Sequence, residues 1–437
     1  MNLFEQYIEE NFSNMLEDLL SLTSIPSIKA TDNSGFIFGE KIHDALNMFE
    51  ELCQKLELSN YHREDDYYAW VEVGDSQLDL IGLICHIDVV DFDATKWRYN
   101  PLGEMSEGII YGRGVSDNKG PLIMSLYVLK FIQEQKIPLR VRLIVGADEE
   151  SDFTCMKQYH SNQEEMPDYG IVPDAKFPLI LAEKSIWNFT VKLSDEQFGV
   201  KNISSISSGI SNNSIPDAAK IKIGNQIYDY EGKTAHAANY KQGDNALLKL
   251  FGQLSTMNLI KTDSILDKLS CHIGDQCIQI PYNVYLVDLV PTVIRKSDGI
   301  QLTIDMRVDN SLDIFHLKNY MMQFLDIKNT DIIRENIAQG YHYSEDLPLI
   351  THLIKHYQQA MDRYRPLEKQ GTPLEIAGTT YAKYFPNCIT YGPGFINEHS
   401  YGHRADERIT VDSFKLATYI YLSAIIDLVD FNYNLHP

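Results

Sequence analysis

The chain has 437 residues, room for two or three domains whose cores need no disulfide or metal staples. Lys and Arg total 38 against 61 Asp and Glu, and the formal net charge of −23 argues against a nucleic-acid or anionic-membrane binder, because both need a basic face. Hydrophobic content of 44% and aromatic content of 11% exclude a disordered chain.

Apolar residues from Leu3 to Leu20 recur at spacings of three and four, predicting an amphipathic helix that stops near Ser24-Ile25-Pro26. Glu40 to Leu56 repeats the pattern. Tyr67–Val73 and the nearly continuous apolar run Leu78–Cys85 read as strands, the second buried on both faces. Gly120–Lys136 reads as a helix with Pro121 at its first position, followed by the buried strand Val141–Ala147 and the short strand Tyr169–Val172. Strands alternating with helices indicate an α/β fold with a largely parallel mixed sheet flanked by helices. After about Ser185 the texture changes to alternating strands, Trp187–Leu193, Ile221–Ile227 and Gln301–Val308, with helical stretches at Asp244–Gln253 and Leu312–Phe324. Helical periodicity returns at Leu347–Met361 and Ser413–Leu428. The expected architecture is one catalytic domain, residues 1–185 and 342–437, interrupted by an inserted α+β domain, residues 186–341.

The six cysteines are scattered without a C-x-x-C pair, too sparse for a disulfide framework or a zinc knuckle. The first residues lack the basic and apolar regions of a signal peptide, and no apolar run approaches the roughly 18 residues that span a bilayer. A soluble, cytoplasmic protein is expected, with no nucleic-acid or membrane partner.

The chemistry gathers where buried strands end. Leu78–Cys85 delivers His86-Ile87-Asp88, Val141–Ala147 delivers Asp148-Glu149-Glu150, and Tyr169–Val172 delivers Pro173-Asp174. The stretch Gly112 to Pro121 carries Asp117 into a helix. Ligands bind outside the carboxyl ends of strands in open α/β sheets. Taken singly, each residue has an ordinary structural reading. Asp88 suits a turn, Asp117 a helix entry, and Glu149-Glu150 a solvated loop edge. Jointly, four such coincidences point to one rim, where so many carboxylates are costly unless cations neutralise them. Imidazole and carboxylate donors without thiolate suit zinc, manganese or cobalt. An Asp able to bridge two ions is the pattern of a two-metal hydrolase.

His86-Ile87-Asp88-Val89-Val90, Gly112-Arg113-Gly114-Val115-Ser116-Asp117-Asn118-Lys119-Gly120 and Asp148-Glu149-Glu150-Ser151 resemble the core motifs of the aminoacylase/carboxypeptidase G-like co-catalytic metallopeptidases, and within them the bacterial PepV-type dipeptidases. The resemblance spans nearly the whole chain. It implies that His86 and Asp174 hold one metal, Glu150 and His403 the other, and that Asp117 bridges them. Asp88 would orient His86, and Glu149 would be the general base. His403 is chosen over His399 because His403-Arg404-Ala405-Asp406-Glu407 fits the family pattern, with Asp406 standing where Asn is usual. The family also often has a cis peptide after the bridging Asp.

In the inserted domain, Gly232-Lys233-Thr234-Ala235-His236-Ala237 resembles the family's lid segment, which makes His236 the oxyanion donor. Asn213 matches an Asn that orients the scissile carbonyl, and Arg307 the arginine that takes the substrate carboxylate. Without the family, His236 would read as a loop histidine and Arg307 as a strand-end charge. Ala377-Gly378-Thr379-Thr380-Tyr381-Ala382 resembles the Gly-Gly-Thr-Tyr-Ala stretch of the dipeptidases, whose amides (Gly378, Thr379, Thr380) would cradle the same carboxylate, with Thr379 replacing a Gly.

The resemblance therefore implies a dipeptidase with two divalent ions, zinc or manganese, acting on small unblocked dipeptides, with a closing motion assembling the site. The long insertion suggests a monomer, with a homodimer left open. An N-acyl amino acid deacylase or desuccinylase of the same family is the nearest alternative. A catalytically silent peptide-binding relative is the remaining one, although neither Glu149 nor a ligand is lost.

Overall fold

In a computed structural model describing residues 2–30, 35–368 and 370–430, apolar runs form the centre of the larger sheet and helices cover it. The first part of the chain runs α1 (Leu3–Thr23), α2 (Glu40–Lys55), β1 (Asn60–Glu64), β2 (Tyr68–Val73), β3 (Leu80–His86), β4 (Glu104–Ser106), β5 (Ile109–Tyr111), α3 (Lys119–Gln135), β6 (Arg140–Gly146), α4 (Thr154–Ser161), β7 (Tyr169–Val172), β8 (Ala175–Lys176) and β9 (Ile180–Glu183). A capping box starts α1: the Glu5 amide donates to the Asn2 side chain at 2.9 Å, and the Asn2 amide donates to the Glu5 carboxylate at 2.6 Å. Tyr7, Ile8, Met15, Leu19 and Leu22 form its buried stripe.

The sheet order is β1-β2-β6-β3-β7, then the strand Cys388–Thr390, then β9. Strand β3 runs parallel to both β6 and β7, and the strand Cys388–Thr390 runs parallel to β7; the outer pairs are antiparallel. Every residue of β3, β6 and β7 is buried, as strands covered on both faces must be. Each fully buried Leu or Ile there contributes about 1.5–3 kcal/mol. The helices α1, α3, Pro348–Tyr364 and Val411–Ile426 pack on one another. Gly120, in the first turn of α3, admits no side chain, because a Cβ would lie 2.1 Å from the Val115 carbonyl oxygen.

The chain divides into two compact units. One holds the described residues up to Leu181, Tyr343–Glu375 and those from Thr380 onward; the other holds Ala182–His342 and Ile376–Thr379. Each has its own core. The second is an antiparallel sheet in the order Gln226–Glu231, Ala218–Ile223, Ile203–Ser208, Tyr285–Ser297, Gly299–Val308, Ser185–Leu193, Ile332–Ala338, with helices Ala246–Thr256 and Ile314–Leu325 against it. The α/β fold with an α+β insertion is as the sequence indicates. Among the described residues, no helix is long and apolar enough to cross a membrane.

Two local expectations differ. Ile221–Ile227 is not one strand but the turn of a hairpin, with Ile223 paired to Gln226 across Gly224-Asn225. Gly224 has φ +57°, and the turn chemistry of that dipeptide overrides the apolar alternation around it. Helix α3 starts at Lys119, which makes Pro121 its third residue rather than its first. Both positions lie in the first turn, where the proline's missing N–H costs nothing.

Candidate active site

The parallel register explains why the site residues meet. His86 ends β3 opposite Gly146, the last residue of β6, and β7 lies on the other side of β3. His86 at the end of β3 and the loops carrying Glu149-Glu150 and Asp174 therefore lie at the same edge of three neighbouring strands. Gly146 has no room for a side chain, since a Cβ would lie 2.1 Å from the Tyr381 hydroxyl.

At that edge Asp117 stands between two groups. Its Oδ1 lies 3.1 Å from His86 Nε2, which is also 3.7 Å from Asp174 Oδ1. Its Oδ2 lies 3.2 Å from His403 Nε2, which is 2.9 Å from Glu150 Oε1. Donors about 3.3 Å apart are what a tetrahedral ion with bonds of about 2.0–2.1 Å requires. One carboxylate thus presents each of its oxygens to a different imidazole–carboxylate pair. Glu149 is 8% exposed and lies with His86 and Asp174 in a group whose donor atoms are all within 4.8 Å of one another. The donor set, nitrogen and oxygen without thiolate, fits divalent metal ions. The Asp117–Asn118 peptide is cis, the form the family resemblance implies.

The electrostatics match a site built for cations. Burial, reinforced by the Asp174 charge, pushes Glu149 well above the usual carboxylate range. Burial also raises Glu150 to about 7 and Asp174 to about 6. Asp117 goes the other way. Burial opposes its charge, but hydrogen bonds from His403 and His86 outweigh that and hold it far below the usual range. Burial disfavours the charged imidazole of His86, yet Asp174 and the bonds to Asp117 raise it well above its ordinary value, and His403 is raised in the same way by Glu150 and Asp117.

Several residues hold the cluster in place. His86 Nδ1 is 2.9 Å from the Asp88 carbonyl oxygen and 3.4 Å from its carboxylate. The carboxylate itself accepts from the amides of Glu149 and Glu150, both at 3.0 Å. Asp88 therefore braces the glutamates as well as the histidine. The Ser27 hydroxyl donates to the Ile87 carbonyl at 2.6 Å, steadying the same turn.

Sequence reasoning did not single out three further residues. Asn118 accepts from the His86 amide at 3.3 Å and donates to the Pro173 carbonyl at 2.7 Å and to Asp174 Oδ1 at 3.0 Å, so it ties β3 to the loop after β7. Lys119 is fully buried, donates to the carbonyls of Ile25 at 2.7 Å and Leu22 at 3.2 Å, and is lowered to about 7 by burial. Glu407 is also fully buried. Its Oε1 accepts from the Ser116 amide and hydroxyl and from the Asp117 amide at 2.9–3.1 Å, and its Oε2 accepts from Arg113 at 2.7 Å. The available signal was polar residues beside the motif aspartate and in the His403 motif, but no periodicity aims their side chains. In Glu407→Gln, one acceptor becomes an amide NH₂ facing N–H donors. A metal titration should show affinity or activity reduced by about 10–100-fold, as for other groups that hold ligands.

His399 is exposed and bonds Arg404 at 2.8 Å. Asp406 accepts from the amides of Arg98 at 2.8 Å and Tyr99 at 3.2 Å, a task for one side-chain oxygen that Asn would also perform. His403 and Asp406 both hold left-handed backbone conformations, φ 61° and 57°, each at a cost of about 1–3 kcal/mol. The Thr380 hydroxyl is 2.9 Å from that of Thr390 and accepts from the Ala382 amide at 3.2 Å.

The remaining predicted residues lie in the second unit. Ser214 pairs with His236 and Ile215 with Ala235, and the Ala237 amide donates to the Asn213 carbonyl at 2.8 Å, so the Asn213 and His236 segments are neighbours. Arg307 is gripped by Asp305, Nε to Oδ1 at 2.9 Å and Nη2 to Oδ2 at 3.3 Å, and donates to the Ala377 carbonyl beside Gly378 and Thr379. A cavity of about 300 Å³ in this unit is lined by Arg307, Ala377, Asp288 and Lys241 among others.

The description of peptidase family M20/M25/M40 matches residues 82–427. The chain belongs to that family. This M20 peptidase is a metallopeptidase enzyme, and its relatives match it over nearly the whole of both chains. The Bacillus subtilis (strain 168) protein named "Putative dipeptidase YtjP" is 27% identical over 96% of this chain and 97% of its own length. The Staphylococcus haemolyticus (strain JCSC1435) protein "Putative dipeptidase SH1171" is 26% identical over 98% and 99%. The solved structure of the di-peptidase Dug1p from Saccharomyces cerevisiae superposes with a TM-score of 0.63 at 11% identity, covering 98% of each chain. Human carnosine dipeptidase 1 gives 0.60 at 11% identity, covering 98% of this chain and 99% of its own. These likenesses establish a shared fold.

Proposed function

We propose that this M20 peptidase is a dipeptidase that holds two divalent ions, zinc or manganese. His86 and Asp174 hold one, Glu150 and His403 the other, and Asp117 lies between them. The observation that carries this reading is that the two oxygens of Asp117 face different imidazole–carboxylate pairs, at 3.1 and 3.2 Å. Bound there, the ions would supply Lewis acidity and lower the pKa of the attacking water. Glu149, buried and held by Asp88 through its amide, takes the proton of that water and returns it to the leaving amine. The second unit acts as a lid in this reading. His236 Nδ1 accepts from the Ala238 amide at 3.1 Å, so the neutral ring carries its proton on Nε2, the donor form an oxyanion needs. Arg307, oriented by Asp305, takes the substrate carboxylate with the backbone of Gly378, Thr379 and Thr380, and Asn213 aligns the scissile carbonyl. The names of the relatives support a dipeptide substrate.

The test is a panel of unblocked dipeptides beside N-acetyl and N-succinyl amino acids, run on protein loaded with zinc or with manganese. Dipeptides should turn over fastest with either ion. A preference for the acylated amino acids would replace this reading with the deacylase.

Metal affinity should rise with pH. Glu150 and Asp174 have their pKa raised to about 7 and about 6, so below those values each carries a proton that an ion must displace. The raised imidazoles add to the same count. Each proton displaced weakens apparent affinity about tenfold per pH unit on the acid side. Calorimetric titrations at pH 5.5 and 7.5, in buffers of different ionisation enthalpy, should show proton release and binding at least tenfold tighter at the higher pH. Equal affinities would contradict the ligand set.

A further inference from the structure

A second constellation of metal-ligating side chains lies in the first unit, made by residues that take no part in the cluster around Asp117. His352 and His356 are one turn apart on the helix Pro348–Tyr364, 7% exposed each, with ring centroids 4.5 Å apart. His356 Nε2 is 3.0 Å from Asp427 Oδ2, and Asp427 caps the helix Val411–Ile426. His352 Nε2 is 2.8 Å from the Ala424 carbonyl oxygen, in the last turn of that helix. One donor atom from each of His352, His356 and Asp427 lies within 4.8 Å of the others.

Three features of this place favour a cation. Imidazoles at positions i and i+4 leave the same face of a helix and can reach one ion. The last carbonyls of a helix lack partners within it, and the end of its macrodipole is negative, so the C-terminus of the 16-residue helix Val411–Ile426 attracts positive charge. Both rings are buried, and the His356 ring already faces the Asp427 carboxylate, Nε2 to Oδ2 at 3.0 Å. Lys355 also approaches Asp427, at 3.9 Å, but its side chain is 59% exposed and gives way to solvent at little cost. Nitrogen and carboxylate donors together select a first-row divalent transition ion over calcium or magnesium.

We propose that His352, His356 and Asp427 form a further metal site, separate from the cluster around Asp117, that takes a divalent transition ion such as zinc and ties the helix Pro348–Tyr364 to the C-terminal end of the helix Val411–Ile426. The ion at this site is structural: it joins two helices of the core and touches no substrate.

The test uses the full chain, dialysed against buffered zinc and analysed for zinc per chain, as wild type, His356→Gln and Asp427→Asn. Both variants should carry one zinc per chain fewer than wild type while keeping peptidase turnover within about twofold. Added zinc should raise the Tm of the wild type by more than that of Asp427→Asn. Equal zinc content in all three proteins would overturn the proposal. So would a variant that lost its turnover together with zinc, because that would place these residues in the catalytic assembly. Asp427 is largely exposed, so its variant decides the matter if His356→Gln does not fold. The readout is a difference between proteins, so it holds whatever number of ions the Asp117 cluster binds.

Discussion

Glu149→Gln should lower kcat by about 10²–10⁴-fold, the usual contribution of a positioned general acid–base, while KM and the metal content stay close to wild type. Gln has nearly the same shape, and the amide of residue 149 still donates to Asp88, so the loop keeps its path. What it lacks is a place for the proton. The glutamate is suited to that task because burial and Asp174 raise its pKa well above the ordinary carboxylate range. Steady-state kinetics on a dipeptide, with elemental analysis of the same samples, checks this. Glu149 also lies in the group with His86 and Asp174, so the metal count separates two roles. A variant that loses an ion would make Glu149 a ligand. One that keeps its ions and near-normal turnover would remove it from the mechanism.

Asp117→Ala should have the larger effect on the ions. Removing this side chain leaves His86 with Asp174 at 3.7 Å and His403 with Glu150 at 2.9 Å, each pair without the oxygen that joins them. Groups that only hold ligands typically cost 10–100-fold in affinity when lost, so a shared ligand should cost more than about 10²-fold, and turnover should fall with it. The backbone of Asp117 is held by Glu407 through its amide, which the substitution spares, so the fold should persist. Metal titration together with a thermal melt checks both points. Wild-type affinity for two ions would show that Asp117 bridges nothing.

The two substitutions probe residues of different legibility. His86, Glu149, Glu150 and Asp174 could be found as chemistry because each follows a run of apolar residues, and a run of that kind reads as a buried strand whatever its partners. Asp117 could be found through the motif leading into α3. Asn213, His236 and Arg307 carried no signal apart from their family resemblance, and the second unit places the Asn213 and His236 segments side by side through a two-residue ladder too short to be read from alternation. The expected strand Ile221–Ile227 failed for a related reason, since a two-residue turn interrupts the apolar pattern without erasing it.

The sequence by itself determined the α/β class, the interruption by an α+β unit, and which strand ends carry imidazoles and carboxylates. Those properties follow from hydrophobic period and from chain order, which are local. Only the tertiary structure decided that β3 lies between β6 and β7, so that the three loops share one edge. It alone turned the Asp88 carboxylate toward the amides of Glu149 and Glu150, and brought Glu407 across 290 residues onto the Asp117 amide. A loop side chain finds its partner through the packing of everything between them, and no period in the sequence records that direction.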